Sequence, residues 1–172
     1  MIRREPWFSR RFSFDLPVSA VPGLLERLRG TPARVEGRVA GVPAAVLTRR
    51  WQDHWSIQEN VGHLLDLEPL WLARIDDFAA GRLTLQEADL LNRKTDEANH
   101  NARDLGVLVR GFRDARAELV RQLEQADEAD WLRTARHPRL HAEMRLLDHA
   151  FFVAEHDDHH LATITEHLRR SD

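Results

Sequence analysis

Cysteine is absent from this 172-residue chain. That excludes disulfides, thiolate metal ligands and a cysteine nucleophile, while leaving the compartment open. Long apolar runs are missing too: no stretch approaches the length of a membrane span, and "MIRREPWFSRRF" lacks the uninterrupted apolar core of a signal peptide. A cytoplasmic protein with no membrane partner is the expectation. A third absence is an excess of positive charge. The formal net charge is −3 and acids are interleaved with the many arginines, so no basic stripe offers itself to nucleic acid. Strand signal is scarce as well.

What is present reads as helix. The length suits one domain, residues 1–172, with one substantial core. Residues 1–18 mix arginines with Trp7, Phe8, Phe12 and Phe14; an extended arm laid over the core is expected, with disorder as the alternative. Ser19 as N-cap, Pro22 in the first turn and Gly30 as a stop predict a first helix over about 20–29. Thr31-Pro32 then restarts a short helix that Gly41 ends, and 41–54 read as a loop containing Asp53 and His54. The second long helix opens at Ser56, whose spacing to Glu59 is that of a capping box. Ile57, Val61, Leu64, Leu65, Trp71, Leu72, Ile75 and Phe78 recur at helical intervals until Gly81. Pro69 falls inside this pattern and predicts a kink. A polar connection with a helical turn covers 82–101. A third helix is expected over about 102–126 and a fourth over about 140–169. Four amphipathic helices predict an all-α, four-helix bundle with long connections.

The last helix carries "AEHDDHHLATI". An α-helix advances about 100° per residue, so His156 and His160 lie side by side on one face, bordering the core stripe of Leu147, Ala150, Phe151, Ala154, Leu161, Ile164 and Leu168. His149 and His167 share that stripe. His159 points away and is expected to be exposed. Two imidazoles one turn apart can hold a single metal ion, but zinc needs at least one further protein ligand. His54, His63, His100, His137 and His141 are the candidates. Of these, only His63 sits deep in a strongly patterned core helix, where a polar side chain needs a partner. Spacing alone leaves two readings open, a metal site or a hydrogen-bonded histidine patch.

"WSIQENVGHLLDLE", followed about ninety residues later by "AEHDDHHLATI", resembles the DinB family in its YfiT-like branch of metal-dependent hydrolases. The resemblance runs from about residue 10 to the end, taking in "LLERLRGTPARVEGRV" and "HPRLHAEMRLLDHAFFV". It implies a four-helix bundle in which three histidines hold a divalent metal, one from the second helix and two spaced by four from the last. The matching positions are His63, His156 and His160. Zinc is the first expectation and nickel the second, with iron or copper also compatible with such ligands. Relatives of this fold are described as low-molecular-weight-thiol S-transferases, including a mycothiol-dependent isomerase. The resemblance thus implies a metal-dependent hydrolase or thiol-dependent transferase acting on a small molecule. A non-catalytic bundle whose metal is structural, or serves sensing or stress, is the alternative.

Around such a site, Asp157 and Asp158 are candidate carboxylates for orienting an imidazole, Asp157 being closer to the core side, with solvated surface acids as the competing and commoner reading. Glu59 and Glu155 are candidate general bases, although Glu59 already has a capping role. Trp55 and Trp71 are expected in the core or on a pocket wall. Bundles of this kind commonly pair through an exposed helix face, so a homodimer is expected without an identified face.

Overall fold

The computed structural model describes residues 4–52 and 54–170. In chain order its elements are α1 (Val21–Val39), the single turn α2 (Ala44–Leu47), α3 (Ile57–Ala79), α4 (Arg93–Glu97), α5 (Leu105–Leu123), α6 (Glu128–Trp131), the strands β1 (Thr134–Arg136) and β2 (Glu143–Arg145), and α7 (Leu146–Arg169). The four long helices form the bundle. Both α1 and α3 pack against α5 and α7, so the consecutive long helices α1 and α3 lie diagonally opposite, as do α5 and α7. That arrangement places α3 beside α7. None of the described helices is long and apolar enough to cross a membrane.

The expected break at Gly30 does not occur: α1 runs unbroken through Pro32. Proline removes the N–H that would bond the Leu28 carbonyl, and Arg116 on α5 donates to that carbonyl instead, at 3.3 Å. One residue earlier, the Arg27 carbonyl accepts from Arg34 Nη2 at 3.2 Å. Burial of Leu24, Leu28, Val35 and Val39 on one stripe does the rest. Pro69 is likewise tolerated, with α3 continuous across it. The α3 start is as the spacing predicts: Ser56 accepts from the Glu59 amide at 3.1 Å and Glu59 accepts from the Ser56 amide at 2.8 Å.

Other boundaries move. The helical turn α2 lies inside the expected loop, and α5 is shorter than expected, with a 3-10 turn at His100–Ala102 before it. The fourth helix begins at Leu146 rather than near 140. The three residues before it form β2, paired antiparallel with β1 through Thr134–Arg145, Ala135–Met144 and Arg136–Glu143. Three residues of alternation, with only Ala135 and Met144 turned inward, are too few to register as a strand pattern. The arm does lie over the core. The Arg145 guanidinium bonds the Phe14 and Leu16 carbonyls at 3.3 and 3.1 Å, and Trp7 and Phe12 pack on Phe152 of α7.

One ionic group lies where all four long helices meet. Arg116 on α5 is 1% exposed; Glu68 on α3 and Asp157 on α7 are fully buried. The guanidinium donates to Glu68 Oε1 at 2.5 Å and to both Asp157 oxygens, while Thr31 Oγ1 on α1 donates to Asp157 at 2.8 Å. Burial opposes the charge on Arg116, but the two carboxylates hold the guanidinium firmly in its charged form. Burial pushes Glu68 up to about 7 against the pull of Arg116. Removing one partner of such a network strands the others. Arg116→Met is expected to cost about 3–5 kcal/mol of unfolding free energy, read from urea denaturation; a loss below about 1 kcal/mol would contradict the central role given to this group.

Candidate metal centre

Where α3 and α7 lie side by side, His63, His156 and His160 come together. One ring nitrogen from each lies within 4.8 Å of the other two. All three are buried, at 3%, 3% and 8% exposure. The backbone does much of this: α3 presents His63 two turns from its cap, and the four-residue spacing on α7 stacks His156 and His160 on the face turned to α3.

Neighbouring side chains select which nitrogen faces inward. Asn60, one turn before His63, donates its amide to the Ser56 carbonyl at 2.8 Å and to the Trp55 carbonyl at 3.3 Å. Its oxygen therefore accepts from His160 Nδ1 at 2.8 Å. That leaves the His160 lone pair on Nε2, which points at His156 Nε2 3.2 Å away. His63 Nδ1 donates to Thr95 Oγ1 at 2.9 Å, and the Thr95 hydroxyl donates to Asp66 at 2.9 Å. Asp66 also accepts from His100 Nε2 at 2.8 Å. The His100 ring lies against Gly62: a Cβ there would come within 2.3 Å of it, so only glycine at 62 admits this support. His156 is held by ring packing, edge-to-face against Trp7 at 5.1 Å and Trp71 at 5.5 Å.

Charge points the same way. Burial drives His63 down to about 4, and burial followed by the neighbouring imidazoles drives His156 and His160 well below the ordinary range. The three rings are neutral at physiological pH, with lone pairs available. The Nε2 atoms of His156 and His160, 3.2 Å apart, need a proton or a cation between them. Ligands on a tetrahedral ion, each at about 2.0–2.1 Å, sit about 3.4 Å apart. The donor set thus fits one divalent cation. Among the described residues no carboxylate joins this cluster, which leaves an open position. The cluster lines a cavity of about 1010 Å³.

The family model of the DinB superfamily matches residues 27–164. The chain belongs to the DinB superfamily. No curated protein matches it in sequence. Among solved structures it is similar to YfiT from Bacillus subtilis, described as a probable metal-dependent hydrolase with an unusual four-helix bundle topology. The TM-score is 0.84 at 16% identity, over 94% of this chain and 93% of that one. It is also similar to a mycothiol-dependent maleylpyruvate isomerase, with a TM-score of 0.68 at 13% identity, over 88% of this chain and 62% of that one. At these identities the likeness is one of fold.

Within this DinB-superfamily bundle, other expected residues have different employment. Asp157 does not turn to an imidazole; Arg116 and Thr31 occupy its oxygens. Asp158 is paired with Arg27 and Arg34. Glu59 is fastened to Arg50 as well as to its cap, and these bonds hold its carboxyl below the usual range against the effect of burial. Glu155 pairs with Arg10 and Arg27. Neither Glu59 nor Glu155 lines the cavity. His159 is not exposed but half-buried, with Arg4 donating to its ring and Trp7 packed on it. Trp55 lies 4.6 Å from His63, and its indole N–H donates to Asp96 at 2.8 Å. Both Trp55 and Trp71 line the cavity. His54 lines it too, His141 is exposed in a left-handed turn, and Asp53 lies outside the described residues.

Nothing in the sequence pattern marks the supporting groups Asn60, Thr95 and Asp66, nor Arg139 on the cavity wall, and His100, a candidate ligand by sequence, supports the site through Asp66 instead. Arg74 left a trace: it falls three residues after Trp71 and four before Phe78, on the core stripe of α3, and is 1% exposed.

Buried histidines outside the cluster make acid stability testable. Burial, followed by the charge of Arg74, drives both His137 and His149 down to about 3, whereas in the unfolded chain each titrates near 6.5. Below 6.5 the unfolded state therefore binds more protons, and stability is lost as pH falls through that window toward 3. Glu68 acts oppositely between about 4.3 and 7, being raised in the fold. Thermal melts of metal-free protein are expected to show a lower Tm at pH 4.5 than at pH 7, and a smaller drop for His149→Phe. Equal slopes for both proteins would contradict the assignment.

Proposed function

We propose that this chain is a metal-dependent enzyme acting on a small organic molecule, with His63, His156 and His160 as ligands of one divalent ion. Zinc is the first choice, and nickel or iron would suit the same donors. The observation that carries this reading is the convergence of three buried, neutral imidazoles beside an open cavity. A purely structural ion is normally closed off by four protein ligands; three ligands and an open position are the pattern of a catalytic one.

A divalent ion held by neutral imidazoles supplies Lewis acidity, enough to make a water or a thiol nucleophilic near neutral pH. The chain's own residues then have definite tasks. Asn60 and the Thr95–Asp66 pair hold the His160 and His63 rings so that Nε2 faces inward. Trp7, Trp55 and Trp71 exclude water from around the ligands. Three carboxylates lie on the cavity wall: Glu166 is bonded to Arg4, Asp89 to Arg93, and Glu87 is exposed. Activation of the nucleophile by the ion alone is what these residues can serve.

Hydrolysis and thiol transfer both meet that description. Thiol transfer has one observation in its favour: about 1010 Å³ is at the upper end of sites for a single small ligand and has room for a thiol co-substrate beside a second molecule. The thiol-dependent relative of the same fold adds support.

Elemental analysis of the purified chain is expected to find about one equivalent of divalent metal, absent from a His63→Ala, His156→Ala, His160→Ala variant. A native protein that stays empty after incubation with zinc and nickel would end the metalloenzyme reading. Asn60→Ala is expected to keep the fold and weaken metal affinity about 10–100-fold, measured by competition with a chelating dye.

A further inference from the structure

Two arginines on the cavity wall have no anion. Arg74 on α3 is 1% exposed. Its Nε donates to the Gln86 carbonyl at 2.9 Å, and Nη1 lies 3.2 Å from His137 Nε2. Among the described residues no carboxylate comes within ion-pair distance of it. Arg139, in the turn between β1 and β2, is half-buried against aromatic faces, its guanidinium carbon 5.4 Å from the Phe8 ring centre and 5.7 Å from that of Phe152. Its Nη2 is buried without a hydrogen-bond partner, and no ion pair with it occurs among the described residues. Burial pulls Arg74 down to about 10, with Asp77 partly opposing the fall and Arg139 adding to it.

This treatment differs from that of the chain's other fully buried arginine. Arg116 receives two carboxylates. Desolvating a cation without a counter-charge costs several kcal/mol, and here two cations of like sign are brought near each other at the same cavity. The arrangement is relieved if an anion enters. The position is also apt. Arg74 packs on Trp71 at 5.5 Å, and Trp71 also packs on His156, at 5.5 Å. One aromatic side chain separates the arginine from the histidine cluster.

Building on the metalloenzyme reading above, we infer that Arg74 and Arg139 form a carboxylate-binding subsite, so that the substrate is an organic acid whose carboxylate docks there while its reacting end lies at the histidines. Guanidinium groups match a carboxylate geometrically. The surrounding Trp7, Phe8, Trp71 and Phe152 suit a flat or apolar organic body, which inorganic phosphate lacks. His137 is the positioning residue: its Nδ1 accepts from the Arg139 and Leu140 amides, both at 3.2 Å, which ties the turn carrying Arg139 to the side chain touching Arg74.

The test uses the full chain and three probes, benzoate, benzamide and inorganic phosphate, with binding followed by tryptophan fluorescence and calorimetry. Benzoate is expected to bind at least about tenfold more tightly than the uncharged benzamide. Arg139→Gln, at a half-buried turn position where folding is not at stake, should abolish that preference and leave benzamide binding, Tm and metal content unchanged; Arg139→Lys should restore part of it. Arg74→Gln should act likewise wherever its melt shows it folded. Equal binding of benzoate and benzamide, no benzoate binding at millimolar concentration, or tighter binding of phosphate would overturn the inference. So would a preference that survives Arg139→Gln but disappears in the triple histidine variant, since the carboxylate would then be bound at the histidines. Metal content, measured in the same samples, separates the two readings: an Arg139-dependent preference in a chain that binds no metal keeps the subsite and removes the metalloenzyme.

Discussion

Everything in this bundle is referred to Arg116. Its guanidinium is fully buried, and its partners come from every other long helix: Leu28 from α1, Glu68 from α3 and Asp157 from α7, the last also held by Thr31 of α1. A hydrophobic core tolerates small slips of one helix along another, because dispersion is nearly indifferent to which methyl meets which. A forked ion pair is not indifferent. Its geometry sets the register of α7 against α3 and α5 to within a hydrogen bond, and it allows α1 to pass through Pro32 without breaking.

The histidine cluster inherits that register. Asp157 is the residue next to His156, so the contact locking α7 to Arg116 also presents His156 and His160 to α3. Ring orientation is then settled by the hydrogen bonds from Asn60 and Thr95. His160 and His63 thereby offer their remaining nitrogens to the common centre at little further entropic cost when a ligand arrives, which is the use of such supporting groups around a metal. The aromatic arm completes the enclosure, Trp7 covering His156 from a segment more than a hundred residues away.

Much of this was legible in the chain. The capping box at Ser56 and Glu59, the apolar period of α3 and α7 and the His156/His160 spacing are local properties, and local signals survive being read one element at a time. Failures have a common cause. Gly30-Thr31-Pro32 is a sound stop signal for an isolated helix, and Arg116, eighty-eight residues on from the Leu28 carbonyl that it bonds, overrides it. Asp157 was rightly placed toward the core, yet its partner was misjudged because the wheel of one helix does not say which neighbour waits there. Glu59 and Glu155 looked free only while the arginines facing them were unknown. Short β1 and β2 have no pattern until they pair.

What the sequence alone determined was the helical class of the chain, the start of its best-capped helix and the residue types able to bind a metal, since these depend on chemistry within a few residues. Tertiary structure decided which histidines meet, which nitrogen each turns inward, which carboxylates are already engaged and which arginines lack an anion. Those outcomes depend on pairings between side chains tens of residues apart, and such pairings exist only after four helices have packed around one buried charge.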